Sequence, residues 1–323
     1  MSQNRLTVSY TLTEYDEADY EAMIRIGKAN RPDELDSVED IRDWDENNRR
    51  AGRRSSRWHA LVDGEVVGFG SLGESPWLNA EIRYTDIEVH PDHQHRGIGR
   101  ALLEHVETLA AERGVESLIT NTEEHRDRTI RFLEAAGYVE IDRDWRSTLD
   151  LDEFDRNGWS DAIARVTASG VQIVSAAELR ETFPDWIDRL YELYVEVEGD
   201  MPVQIPIDSM PRDDFEALML GRKLLPDGYL VAVDGQDFVG LTQPDRVDGE
   251  PDVLAQEMTG VTASARGKGI ATALKMAAAI WAKDAGYRSI RTYNSKSNAA
   301  MLAVNEKIGF VKDYGFIEYK KEL

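Results

Sequence analysis

The chain has 323 residues, 41% of them hydrophobic, enough for two buried cores in domains of about 150 residues each. Its net charge of -23 comes from 61 acidic against 38 basic residues, which argues against nucleic acid or an anionic membrane as main partner. There is no cysteine, so disulfides, thiolate chemistry and Cys-based metal sites are excluded. No run approaches the roughly 18 apolar residues that span a bilayer, and Met1–Arg5 has no signal-peptide character, so a cytoplasmic protein is expected. The acidity serves solubility or draws in a cationic amine.

Leu6 to Leu12 alternates and predicts a strand, followed by a helix over about 14–28 carrying Tyr20, Met23 and Ile24. Ser37 with Asp40 three residues on has the form of a capping box and opens a second helix to about residue 53. Trp58–Val62 and Val66–Leu72 flank Asp63-Gly64, a hairpin signal. Glu81 to Val89 predicts a further strand, which runs through a polar loop into a helix ending at Arg113. A strand at Ser117–Asn121, a helix at Thr129–Ala136 closed by Gly137, and a strand at Val139–Leu149 complete the first half.

Residues 151–169 change character and read as a linker with a short helix, which sets domains at 1–150 and 170–323. The second half repeats the order. Val171–Val174 is a strand, Ala177 to Glu196 a helix that Pro184 can interrupt, and a further helix lies near 212–222. Tyr229–Val233 and Phe238–Thr242 flank Asp234-Gly235-Gln236, a second hairpin. Val253–Val261, a glycine loop, a helix to Ala285, strand Ser289–Tyr293, helix Asn298–Lys307 and strand Val311–Tyr319 follow. Each half is therefore α/β with a mixed, mostly antiparallel sheet flanked by helices, because hairpins occur inside it.

The glycine loops carry the chemistry. Gln94-His95-Arg96-Gly97-Ile98-Gly99 follows a strand and opens a helix whose Leu102, Leu103, Val106 and Leu109 share one face. The first helical N–H groups lack internal partners, the helix dipole favours negative charge there, and glycine lets a phosphate approach the backbone. Arg96 and Arg100 add positive charge. Arg266-Gly267-Lys268-Gly269-Ile270-Ala271 repeats the pattern about 172 residues later. The same offset carries Gly114 onto Gly286, Gly137-Tyr138 onto Gly309-Phe310 and Val67-Gly68 onto Val239-Gly240, as a tandem duplication would. His90, His93 and His95 form the one metal-like cluster, but the phosphate loop accounts for the same residues and no metal is expected. A dinucleotide fold fails too, because Asn121 stands where a ribose-binding acid is wanted.

This element order, with Gln/Arg-x-x-Gly-x-Gly/Ala at the third helix of each half, resembles the GNAT acetyltransferase superfamily. The resemblance implies that the loops, Gln94 to Gly99 and Arg266 to Ala271, hold the pyrophosphate of acetyl-CoA. It also implies that Ile87, Glu88 and Val89, and in the second half Thr259, Gly260 and Val261, meet the pantetheine through their backbone. Asn294, Asn298 and Gly309-Phe310 match the family's later signature, whereas Arg126 replaces its Asn in the first half. The family's usual acid, a helical Tyr, is replaced by Leu133 in the first half and Asn305 in the second. The second half also resembles the C-terminal half of two-domain bacterial members, the group that includes mycothiol synthase.

Acetyl transfer to an amine needs a neutral amine, a polarised thioester carbonyl and a protonated leaving thiolate. Glu257, four residues before Val261, shares a strand face with Thr259 and Val261 by simple alternation and is the candidate base. Tyr293 is the candidate acid, and Asp86 and Glu88 in the first half do not stand out as bases. Tyr191, Tyr194, Glu198, Asp200 and Met201 would frame an acceptor pocket suited to a cation, or pack as core. The reading is an acetyl-CoA-dependent N-acetyltransferase for a small amine, with the second half catalytic, as monomer or homodimer. Its rivals are a non-catalytic acyl-CoA-binding protein, favoured by the absent Tyr, and an enzyme that acylates a peptide N-terminus.

Overall fold

A computed structural model describes residues 9–15, 19–32, 37–156, 160–205, 207–247 and 249–323. The first half runs β1 (Thr11–Glu14), α1 (Tyr20–Asn30), α2 (Val38–Arg50), β2 (Ser55–Val62), β3 (Glu65–Gly73) and β4 (Ile82–Val89). It continues with α3 (Ile98–Glu112), β5 (Ser117–Glu123), α4 (Asp127–Ala135) and β6 (Val139–Asp150). After α5 (Ser160–Ala168) come β7 (Val171–Ser175), α6 (Ala176–Thr182), α7 (Trp186–Gly199), α8 (Arg212–Met219), β8 (Leu230–Asp234) and β9 (Asp237–Arg246). The chain ends with β10 (Val253–Val261), α9 (Ile270–Asp284), β11 (Ser289–Ser295), α10 (Ala299–Ile308) and β12 (Val311–Glu322).

Local signals in the sequence explain several boundaries. Ser37 caps α2, its Oγ accepting from the Asp40 N–H at 3.2 Å while Asp40 Oδ2 accepts from the Ser37 N–H at 2.9 Å. Asp63 and Gly64 turn the first hairpin with φ of 51° and 83°. Pro184 divides the expected helix at Ala177–Glu196 into α6 and α7. The first strand begins later than its alternation suggested, at Thr11, and the helix after it at Tyr20 instead of about residue 14. The Leu6–Val8 part of the expected strand lies outside the described residues.

The two sheets are one. Among the described residues its 12 strands run β1-β2-β3-β4-β5-β12-β6-β11-β10-β9-β8-β7, with parallel pairs only at β4–β5 and β10–β11. The last strand of each half has changed places with its twin. β12 pairs with β5 of the first half, β6 pairs with β11 of the second, and the two long strands pair with each other in the middle. On one sheet face α3 buries Ile98, Leu102 and Val106 against β2, β3 and β5, and α9 buries Ala273, Leu274 and Met276 at the equivalent place. A fully buried Leu contributes about 2 kcal/mol, so these contacts fix the start of each helix, where the glycine loops sit. Helices α1, α2, α7 and α8 cover the other face, and the cavities open there.

Candidate active site

The duplication is visible in the backbone of the two loops. Gly97 and Gly269 adopt left-handed φ of 88° and 79° immediately before α3 and α9. Two residues earlier, Gly267 has φ 74° and its counterpart His95 takes the same conformation at φ 62°. A histidine accepts that region only with strain, which the second loop avoids by using glycine. A Cβ added to Gly97 or Gly269 would meet nothing within 4 Å, so the space above each helix N-terminus is open. Arg96, Arg100, Arg266 and Lys268 are exposed around it, with Arg96 donating to the Asp92 carbonyl at 2.7 Å and Arg266 paired with Asp200. Unpartnered helical N–H groups, an open left-handed turn and cationic side chains suit a pyrophosphate.

Next to each loop the sheet opens. β4 and β5 pair only through Ile82–Tyr84 with Ser117–Ile119, and β10 and β11 only through Val253–Gln256 with Ser289–Thr292. Beyond those points the strands splay, so the edges of Ile87–Val89 and of Thr259–Val261 that face the splay have no ladder partner. They can offer backbone groups to an extended chain, as the pantetheine reading requires. The side chains there are otherwise engaged. Glu88 is buried, pairs with Arg31 and accepts from Asn30 at 2.8 Å, and Gln94 donates to the Val89 carbonyl at 3.0 Å and to Asn30 at 3.1 Å. Gly260 has no room for a side chain, since a Cβ there would lie 2.0 Å from Val197 of α7.

A cavity of about 520 Å³ passes through the first splay, lined by Asp86 and Glu88 on one face of the sheet and by Thr120, Thr122, Leu103, Leu133 and Tyr138 on the other. Asp86 was not singled out by the sequence, yet its solvent-accessible carboxyl faces this cavity, where the surrounding protein and neighbouring Glu88 push its pKa up to about 6. The 172-residue offset carries Leu103, Thr122, Leu133 and Tyr138 onto Lys275, Asn294, Asn305 and Phe310. The two leucines of the first half thus become Lys275 and Asn305 in the second, while Tyr138 becomes Phe310. Asn305 is buried and donates to Asn294 at 2.6 Å, while Asn298 uses its side-chain oxygen to cap α10.

Lys275 is 2% exposed, its Nζ stands 4.9 Å from the Phe310 ring, and burial lowers its pKa to about 7. The unfolded chain takes up that proton near pH 10.5 and the folded one only near 7. The cost to stability therefore grows as pH falls between those values and is complete below 7. Lys275→Met is expected to gain up to about 5 kcal/mol at pH 6 and almost nothing above pH 10.5, as read by urea denaturation at both pH values.

Between the halves lies a larger cavity of about 680 Å³, which shares Trp44, Ser75, Trp77 and Tyr84 with the first. Its walls carry nine carboxylates (Asp40, Asp43, Asp142, Asp144, Glu198, Asp214, Asp245, Glu257 and Glu318) against Arg53, Arg222 and Lys223. Arg53 is already held by Asp214 at 2.6 and 2.7 Å, and Arg222 by Asp40 and Asp43. The lining is thus strongly negative. Of the acceptor-pocket residues named from sequence, Tyr194, Glu198 and Met201 line it. Tyr191 instead packs on Phe215 and donates to the Met210 carbonyl at 2.9 Å, and Asp200 pairs with Arg266.

Glu257 lines this cavity, by a route that alternation could not foresee. Gln256 pairs with Pro244 and Met258 with Gln243, which leaves Glu257 as the extra residue of a β-bulge. The bulge turns its side chain to the α7 side, beside Met258, whereas Val261 packs on the α9 side. The expectation that Glu257 shares a face with Thr259 and Val261 is corrected accordingly. Although solvent in the cavity reaches its carboxylate, the surrounding protein strips enough water away to raise its pKa. β4 has no such bulge against β3. Tyr293 is half exposed against the Phe316 ring, with centroids 5.5 Å apart, and is not among the residues lining either cavity. Among the described residues no three His, Cys, Asp or Glu side chains are grouped to hold a metal, and no helix is long and apolar enough to cross a membrane.

Known proteins share this architecture. A mycothiol acetyltransferase of Amycolatopsis mediterranei (strain U-32) is 25% identical over 283 residues, covering 80% of this chain and 82% of its own. A tandem GNAT protein from the clavulanic acid biosynthesis pathway superposes with a TM-score of 0.74 at 20% identity, over 97% of this chain and 98% of its own. A GCN5-related N-acetyltransferase from Sphaerobacter thermophilus gives 0.72 at 19% identity, over 100% and 97%. The sequence profile of the acetyltransferase (GNAT) family matches twice, at residues 17–138 and 187–310, each match ending just before an exchanged strand. With one match per half, one glycine loop per match and a splayed strand pair beside each loop, the chain belongs to the GNAT acetyltransferase family as a tandem pair of its domains.

Proposed function

We propose that the protein transfers the acetyl group of acetyl-CoA to a small cationic amine held in the cavity between the halves, with the second half catalytic. The observation that carries this reading is Glu257, bulged out of β10 at the splay and facing the acid-lined cavity. Acetyl-CoA would lie with its pyrophosphate on Arg266–Ala271 and its pantetheine along Thr259–Val261, and it supplies the activated acyl group. The acidic walls favour the ammonium form of an entering amine, and Glu257 removes one proton from it, directly or through water. The free nitrogen attacks the thioester carbonyl, the C–S bond breaks, and backbone N–H groups at the splay stabilise the oxyanion. The second proton shed as the amide forms balances the thiolate, so the absent helical Tyr does not prevent turnover. Positioning supplies much of the rate, because the thioester is already activated.

A second reading places catalysis in the first half, where Asp86 faces its own cavity with a carboxyl near pH 6. Purified protein given acetyl-CoA and a panel of primary amines should release free thiol and acetylated amine. Tight CoA binding without turnover on any amine would leave the non-catalytic reading in its place.

A further inference from the structure

The floor of the large cavity holds three acids that the transfer reaction does not use. Asp142 and Asp144 sit two residues apart on β6, and Glu318 on β12 is the direct cross-strand partner of Asp142. Like charges directly opposite on a sheet repel, and such pairs are normally relieved by a nearby cation. Here the hydrogen-bonding groups are all uncharged: Ser295 donates to Asp142 at 2.8 Å, the Arg143 backbone N–H to Asp142 at 2.7 Å, and Tyr84 to Glu318 at 3.3 Å. Among the described residues no ion pair reaches any of the three. Burial and the neighbouring acids push the Glu318 carboxyl up to about 7 and raise that of Asp144.

A second observation comes from the opposite wall. Asp245 on β9 is 6% exposed and lines the same cavity, and its Oδ1 has no hydrogen-bond partner, Oδ2 alone accepting from Gln243 at 2.9 Å. A buried acceptor without a donor costs free energy unless something occupies the cavity. Burial and the charge of Glu257 push the Asp245 carboxyl up to about 7, against the pull of Lys223 and Arg246, so Asp245 and Glu257 share one wall on which an entering cation would be welcome. The same cavity also offers apolar lining, with Trp77, Leu78, Ile205 and Met258 among its walls.

We propose that the acceptor is a linear polyamine, with one ammonium at the Glu257–Asp245 wall, a second on the Asp142–Asp144–Glu318 floor, and the carbon chain against the cavity's apolar side chains. This rests on the acetyl-transfer reading for the chemistry at the first nitrogen. Strand spacing sets the length. From β10 to β6 is two strand steps, or about 10 Å, and to β12 three, or about 14 Å, before the splay adds to either. A short diamine does not bridge that gap.

The test compares spermidine with butylamine as acceptors for the full-length protein and for the double variant Asp144→Asn/Glu318→Gln. Wild type is expected to favour spermidine by about 100-fold in kcat/KM, and the double variant to lower that preference about 10-fold. Because the variant removes repulsion, its Tm should hold or rise, which separates lost recognition from lost folding. Equal use of both amines by wild type would overturn the proposal, as would an unchanged preference in the variant. Titration calorimetry with spermidine, without acetyl-CoA, tests the subsite alone. Binding that the double variant weakens, with no acetylation of any amine, would uphold the polyamine subsite and sink the transfer reading. Acetylation of butylamine with no spermidine binding would do the reverse.

Discussion

Glu257→Gln is expected to lower kcat for acetyl transfer by about 100- to 1,000-fold while leaving the KM for acetyl-CoA near its wild-type value. The glutamine keeps the shape of the bulge and the contact with Met258 but cannot accept the ammonium proton. The wild-type rate should rise with pH through the raised pKa of Glu257, since only the carboxylate form is a base, and this limb should vanish in the variant. Stopped assays of acetylated amine across pH 5 to 9 read both effects. If Glu257→Gln keeps its rate and Asp86→Asn loses it, the acid limb belongs to the first half, with a midpoint near the Asp86 value of about 6.

The second large effect concerns the loops. Gly269→Glu is expected to abolish turnover, because a carboxylate would fill the open space over the α9 N-terminus and repel pyrophosphate. Gly97→Glu, at the twin position, should leave much of the activity. Both substitutions place a side chain at positive φ, which costs about 1 kcal/mol in either loop, so Gly269→Ala serves as the control for strain. Steady-state kinetics with varied acetyl-CoA, alongside thermal unfolding, separate a blocked site from a weakened fold. Loss of activity in Gly97→Glu with retention in Gly269→Glu would move the working site to the first half.

Much of this architecture can be read from the residues alone. Hydrophobic period, the Ser37–Asp40 cap, the Asp63-Gly64 turn and a constant offset between Gly97 and Gly269 are local patterns, and local patterns survive folding. The equivalence of His95 and Gly267 was implicit in the same offset, and only the backbone reveals that both are left-handed. Three features had no local signal. The bulge at Glu257 depends on how β10 registers against Pro244 and Gln243 of β9, and one inserted residue reverses the face that alternation assigns. Asp86 gains its raised pKa from desolvation in the cavity and from Glu88 on the same strand, against the opposite pull of Arg31 and Arg126 that the fold brings near it. The acidic floor of the large cavity joins the last strand of each half, with Asp142 facing Glu318.

That last arrangement bears on synthesis as well as on recognition. Ser117 of β5 pairs with Glu322 of β12, so the first half cannot complete its sheet until the second half has been made. Until then β5 exposes a bare hydrogen-bonding edge, the sort of surface that invites strand pairing between molecules. Such long sequence separation also slows folding. The duplication therefore did not yield two self-sufficient units on a tether. Each half completes its sheet with a strand from the other, so unfolding either half is expected to disrupt the sheet of its neighbour.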